Sequence, residues 1–219
     1  MNPASHQTEI ISFMRLAPVI PVLTVRDAAD GVAQARALVA GGLFAIEVTL
    51  RTPGALAAIA AIRDAVPGAM VGAGTVLTPE HIAQACSAGA RFLVSPGASP
   101  RLAQAAAAAP VPFLPGVATA SEAITLMDLG FYALKLFPAE AVGGVKLLAS
   151  LAGPLPDLRF CPTGGIDLAK APGYLALPNV LCVGGSWMLP KAALAAGDYA
   201  SVEELAREAA ALGAAHARN

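Results

Sequence analysis

Charge is scarce in this chain, and lysine scarcest: 13% of the 219 residues are Asp, Glu, Lys or Arg, and the lysines are Lys135, Lys146, Lys170 and Lys191 alone. A formal net charge of -1 with no Lys/Arg run argues against nucleic acid or an anionic membrane surface as partner. Two stretches lack charge altogether, between Arg101 and Glu122 and between Lys170 and Lys191. Each is broken by prolines, the first by Pro110, Pro112 and Pro115 and the second by Pro172 and Pro178, so neither reads as an apolar helix of ~20 residues. The opening "MNPASHQTEI" lacks a basic start followed by an apolar run, so no secretory signal is expected. The 3 cysteines have no metal-ligand spacing and suit a reduced, cytoplasmic interior. His6, His81 and His216 are scattered and no H-E-x-x-H occurs, so no metal site is expected.

What the chain has in plenty is apolar residue, 56% of the total. Short β-rich runs alternate with Ala/Leu-rich stretches from end to end. Strands are predicted at 18–23, 44–50, 70–75, 91–96, 112–117, 132–138, 158–164 and 179–185. Helices are predicted over Ala28–Ala40, Pro53–Ala65, Pro79–Ala88, Pro100–Ala109 and Ser121–Leu129, several of them opening on proline. This rhythm predicts an α/β chain of the (β/α)8 TIM-barrel type, one domain over residues 1–219, with residues 1–14 as a tail or capping helix. A doubly wound open sheet is the competing architecture, but no G-x-G-x-x-G follows the first strand.

Alternate residues of a strand share a face. In "FAIEVTLR" that rule groups Ala45, Glu47, Thr49 and Arg51 against Ile46, Val48 and Leu50. In "YALKLFP" it groups Ala133, Lys135 and Phe137 against Leu134 and Leu136. With the apolar sets under the helices, Glu47, Arg51 and Lys135 converge at the carboxyl end of the strands, joined by Thr75 from "GAGT". Such a cluster is either a buried ion pair that fixes register or a reaction centre. Two cations against one anion leave a surplus positive charge suited to an anionic substrate. A desolvated amine can attack a ketone to form a Schiff base, a neighbouring carboxylate can carry the protons, and an arginine can hold a carboxylate by two parallel bonds.

"CPTGGID" and "CVGGSW" close the seventh and eighth strand regions, and paired glycines at such points let backbone N–H groups approach an anion, with Ser186 adding a hydroxyl. Tight strand–loop turns are the plainer reading of the same pairs. Cys161 and Cys182 read as small core residues, and Glu140 as a helix-start acid.

"EVTLRT", "GAGTV", "KLFPAE", "PTGGI" and "GGSW", in this order and spacing, resemble the 2-keto-3-deoxy-6-phosphogluconate (KDPG) aldolase family, which includes forms acting also on 4-hydroxy-2-oxoglutarate. The likeness runs from about Pro18 to Trp187 and beyond. It implies a class I aldolase, needing no cofactor, on a (β/α)8 barrel and typically a homotrimer. The implied roles are Schiff-base formation for Lys135 and proton transfer for Glu47. Arg51 and Thr75 match the ligands of the pyruvate carboxylate, Gly164, Gly165, Gly185 and Ser186 the phosphate site, and Thr163 a position beside the substrate hydroxyls. Pro96 and Phe137 match the pocket lining. Two other readings stay open: an epimerase or isomerase in which no covalent bond forms, and a barrel that binds a sugar phosphate without turnover.

Overall fold

The computed structural model describes residues 3–216. Nine strands run β1 (Val19–Leu23), β2 (Ala45–Thr49), β3 (Met70–Gly74), β4 (Leu93–Val94), β5 (Phe113–Leu114), β6 (Gly116–Val117), β7 (Ala133–Leu136), β8 (Arg159–Pro162) and β9 (Val183–Gly185). Helix α1 (Pro3–Met14) precedes them, Met1 and Asn2 lying outside the described residues. Between strands come α2 (Ala28–Ala40), α3 (Ala55–Ala65), α4 (Pro79–Ala88), α5 (Pro100–Ala107), α6 (Ala120–Asp128), α7 (Gly144–Ala152) and α8 (Ala171–Leu175). After β9 follow α9 (Lys191–Ala196) and α10 (Tyr199–His216), in a segment where the sequence offered no motif.

Several helices start where local chemistry dictates. Asp27, Thr78, Ser99 and Thr119 sit extended at the N-caps and their side-chain oxygens accept the N–H of Asp30, His81, Leu102 and Glu122. Pro79 and Pro100 follow two of these caps, where a missing N–H costs nothing. The helix expected from Pro53 instead begins at Ala55 behind Gly54, which has no side chain to cap it.

The strands do not form the closed eight-stranded barrel ladder that the sequence suggested. They pair in parallel as a six-stranded sheet, ordered β5-β4-β3-β2-β1-β9, and a separate three-stranded sheet, β6-β7-β8. Proline explains both interruptions, since it cannot donate to a ladder. Pro115 splits the run expected as one strand over 112–117 into β5 and β6. Pro162 lies in β8, which with the following Thr163 meets the β9 region, among the described residues, through the isolated bridges Phe160↔Val180 and Thr163↔Gly184.

Strand parity divides the interior into two cores. Ile46, Val48, Leu134 and Leu136 join the larger one beneath the helices. Ala45, Ala133, Phe92, Val94, Leu114, Cys161 and Cys182 form the smaller, inner one, closed at its base by Ile10, Phe13 and Met14 of α1. Gln7 of α1 fixes that closure: its Oε1 accepts the N–H groups of Tyr132 and Ala133, at 2.8 and 2.9 Å, where β7 begins. Among the described residues no helix is long and apolar enough to cross a membrane.

Candidate active site

The inner face carries the chemistry. Two residues beyond Ala45 and Ala133, on the same face, stand Glu47 and Lys135, exposed by only 3% and 5%. Lys135 Nζ donates to both carboxylate oxygens of Glu47 at 3.1 Å. A buried ion pair with only modest geometry is a poor source of stability, because desolvation consumes most of the Coulomb gain. The Phe137 ring lies beside the amine, its centroid 5.6 Å from Nζ.

One glycine makes room for this pair, and a second lets the neighbouring backbones meet. A Cβ on Gly74 would lie 2.2 Å from Glu47 Oε1 and 2.5 Å from its Cγ, so the carboxylate rests directly on the β3 backbone. A Cβ on Gly116, the register partner of Lys135, would lie 2.3 Å from the backbone C and O of Pro96. The sequence reading missed both glycines. Parity could have found Gly74, which shares the inner face of β3 with Met70 and Gly72.

Arg51 and Thr75 meet as expected: Arg51 Nε donates to Thr75 Oγ1 at 3.0 Å. Thr75 holds φ +57, a left-handed conformation that a β-branched residue rarely adopts. Its neighbours pin it there, Leu50 N donating to Gly74 O at 2.8 Å and Val76 N to Val94 O at 3.0 Å. Arg51 is exposed and pairs with neither Glu47 nor any other carboxylate among the described residues, which leaves its guanidinium charge for a ligand. Thr49, on the same face as Glu47, turns its hydroxyl to Leu23 O at 2.8 Å.

At the other end of the cluster, Thr163 is buried at the end of β8, and a Cβ on Gly184 would strike its Oγ1 at 2.1 Å. Gly164 and Gly165 follow with φ +106 and +77, a turn that two L side chains would not adopt. Gly185 is covered by the Trp187 ring, and Ser186 is exposed beside it. Neither Gly165 N–H nor Ser186 N–H has a backbone acceptor among the described residues. Cys161 and Cys182 are core residues, and burial, with Cys161 beside it, pushes the Cys182 thiol well up. Glu140 opens a short 3-10 helix, Glu140–Val142, and also makes side-chain contacts to Lys170 and Tyr174 that the sequence reading did not foresee.

The model of the family described as "Aldolase: KDPG and KHG aldolase" matches residues 10–205. A KHG/KDPG aldolase of Escherichia coli K12 is 51% identical over 203 residues, covering 93% of this chain and 95% of that protein. The crystal structure of the 2-keto-3-deoxy-6-phosphogluconate aldolase of Zymomonas mobilis ZM4 with 3-phosphoglycerate is 50% identical, with TM-score 0.89 over 94% of this chain and 97% of its own. A Legionella pneumophila KDPG aldolase, with pyruvate captured as a covalent carbinolamine intermediate, is 40% identical, with TM-score 0.89 over 91% of this chain and 97% of its own.

Proposed function

The chain belongs to the KDPG and KHG aldolase family, and from that membership we infer the function of the site and the part each residue plays in it. The protein is a class I aldolase, a lyase that cleaves 2-keto-3-deoxy-6-phosphogluconate to pyruvate and glyceraldehyde 3-phosphate. One observation carries the assignment of roles: a desolvated amine with both oxygens of a single carboxylate 3.1 Å away.

In our reading Lys135 Nζ passes a proton to Glu47 and, as the free amine, attacks the C2 ketone; a proton then moves from the new ammonium to the alkoxide to give a neutral carbinolamine. Glu47, within hydrogen-bond reach of Nζ, supplies the proton that lets the C2 hydroxyl leave as water, and a protonated Schiff base remains. It then accepts the C4 hydroxyl proton while the C3–C4 bond breaks. The electron pair of that bond flows into the iminium, glyceraldehyde 3-phosphate departs, and the enamine left on Lys135 is protonated at C3. Water restores the amine and frees pyruvate. One carboxylate serves each transfer because it touches the nitrogen whose charge changes.

Arg51 and Thr75 hold the substrate carboxylate, the guanidinium supplying a fork of donors. Pro96 and Phe137 wall the pocket, and Phe137 keeps one side of the amine apolar. Thr163 hydrogen-bonds a substrate hydroxyl, and Gly164, Gly165, Gly185 and Ser186 receive the phosphate. The same donors suit the distal carboxylate of 4-hydroxy-2-oxoglutarate. We also propose a homotrimer of single-domain chains in the cytoplasm; the apolar side chains left exposed, Leu16, Phe44, Leu77, Ile124, Tyr132 and Leu168, suit burial between copies. Light scattering would test the trimer.

Borohydride reduction in the presence of pyruvate, followed by peptide mass spectrometry, tests the chemistry. The expected result is a pyruvyl adduct on Lys135 that is absent from Lys135→Met. Folded, pyruvate-binding protein with no adduct would overturn the class I mechanism.

A further inference from the structure

The Gly164–Gly165 turn has no ladder to hold it, yet its two carbonyls are both tied down on one side. Glu140 N donates to Gly164 O at 3.1 Å, and Lys170 Nζ donates to Gly165 O at 3.0 Å. Glu140 Cβ and Cγ occupy the place where a Gly165 side chain would begin, at 2.9 and 2.8 Å from that point. The Glu140 carboxylate closes the circuit: Oε2 holds Lys170 Nζ at 2.8 Å, and Oε1 accepts the hydroxyl of buried Tyr174. Asp167 Oδ1 fixes the other end of Lys170 by accepting its N–H at 2.9 Å.

A trans peptide unit points its C=O and N–H in opposite directions. Tying Gly164 O to Glu140 therefore aims the Gly165 N–H away from Glu140. Tying Gly165 O to Lys170 aims the Ile166 N–H likewise. We propose that Glu140, Lys170 and Tyr174 are positioning residues that lock the Gly164–Gly165 turn with its N–H groups turned outward to receive the phosphate of the substrate. This rests on the reading above that the turn is the phosphate site. An exposed ion pair contributes little to stability, and Lys170 and Glu140 keep 47% and 35% of their side-chain surface. Their effect is on the orientation of the donors. The Lys170 hydrogen bond, and then that of Tyr174, hold the Glu140 carboxyl below the usual carboxylate range, so the clamp is charged at neutral pH.

The test compares Lys170→Met, Glu140→Gln and Lys170→Arg with the parent on phosphorylated and dephosphorylated 2-keto-3-deoxygluconate, and measures borohydride trapping of pyruvate alongside. Lys170→Met should raise KM for the phosphorylated substrate about tenfold, a loss of about 1.4 kcal/mol. Its kcat, its kcat/KM on the dephosphorylated substrate and its pyruvate trapping should stay within twofold of the parent. Lys170→Arg should restore most of the KM. Glu140→Gln should behave as Lys170→Met; should it misfold, the exposed Lys170 variants decide alone. Equal KM changes on both substrates, or none, with pyruvate trapped normally, would overturn the clamp alone. Failure of the parent itself to trap pyruvate on Lys135 would overturn the aldolase reading and the clamp with it.

Discussion

Replacing Gly74 by alanine should uncouple catalysis from folding. The new Cβ would sit 2.2 Å from Glu47 Oε1, 2.5 Å from Cγ and 2.7 Å from Cδ. Carbon and oxygen need about 3.2 Å, so the carboxylate must retreat by about 1 Å, and with 3% of the residue exposed it has no solvent to move into freely. Retreat lengthens the contacts to Lys135 Nζ, now 3.1 Å to both oxygens. A misplacement of about 1 Å in a proton-transfer group costs on the order of 100-fold in rate, or about 2.7 kcal/mol of barrier. Overpacking would destabilise the fold by about 1–3 kcal/mol besides. Gly72→Ala separates the two effects. It lies on the same face of β3, in register with Glu47, but its Cβ would strike the Phe92 ring at 2.5 Å and not the Glu47 side chain. The assay follows pyruvate release in a coupled reaction, with thermal melting of both variants. Gly74→Ala should lose kcat about 100-fold and Gly72→Ala less than threefold, while both lose comparable stability. Equal kcat losses in the two, or a Gly74→Ala enzyme within threefold of its parent, would refute the claim that Gly74 seats the carboxylate.

Other outcomes follow from the same geometry. Glu47→Gln should lower kcat by about 10²–10⁴-fold, measured in single-turnover cleavage. Arg51→Lys keeps the charge but loses the fork, and should raise KM about tenfold in steady-state kinetics. Thr163→Val should change the preference between the gluconate and galactonate epimers; an unchanged ratio of kcat/KM values removes that role. Thr119→Ala removes the capping box of α6 and should cost about 1 kcal/mol at pH 7 by chemical denaturation. The Ala118 N–H, and then Thr119, hold the Glu122 carboxyl below the usual range against the opposing effect of burial. A depressed carboxyl stabilises the fold above its unfolded value and loses that contribution as pH falls through the folded one. The penalty of Thr119→Ala should therefore shrink below about pH 4.

Parity was the sequence signal with the longest reach. Counting alternate residues from Ala45 and Ala133 placed Glu47 and Lys135 on one inward face, where they touch. Helices Ala28–Ala40 and Pro79–Ala88 were expected with the bounds they have, the second from the proline at its start. Pairing around the strands was not legible, because a motif such as "PFLPGV" shows apolar character but not which N–H groups a ladder needs. There Pro115 outweighed the apolar run, and the closed barrel ladder gave way to two sheets. Glycine carried a second hidden meaning. Gly74 and Gly116 carried no reading of their own, although Gly74 leaves space for the Glu47 side chain and Gly116 for the backbone of Ser95 and Pro96, neighbours that the chain order does not show. Glu140 was read from its place at a helix start, while its partners Lys170 and Tyr174 come from 30 and 34 residues further along the chain.

Helix α1 seals the base of the inner core with Ile10, Phe13 and Met14. The site proposed above is thereby closed on the α1 side, so substrate and products share the opening at the carboxyl ends of the strands. In the reaction proposed above the bond to Lys135 sets the order of release: the aldehyde fragment is freed when C3–C4 breaks, while pyruvate stays on the amine until water frees it. In the synthetic direction the order reverses, and an aldehyde that arrives before pyruvate can only block the entrance.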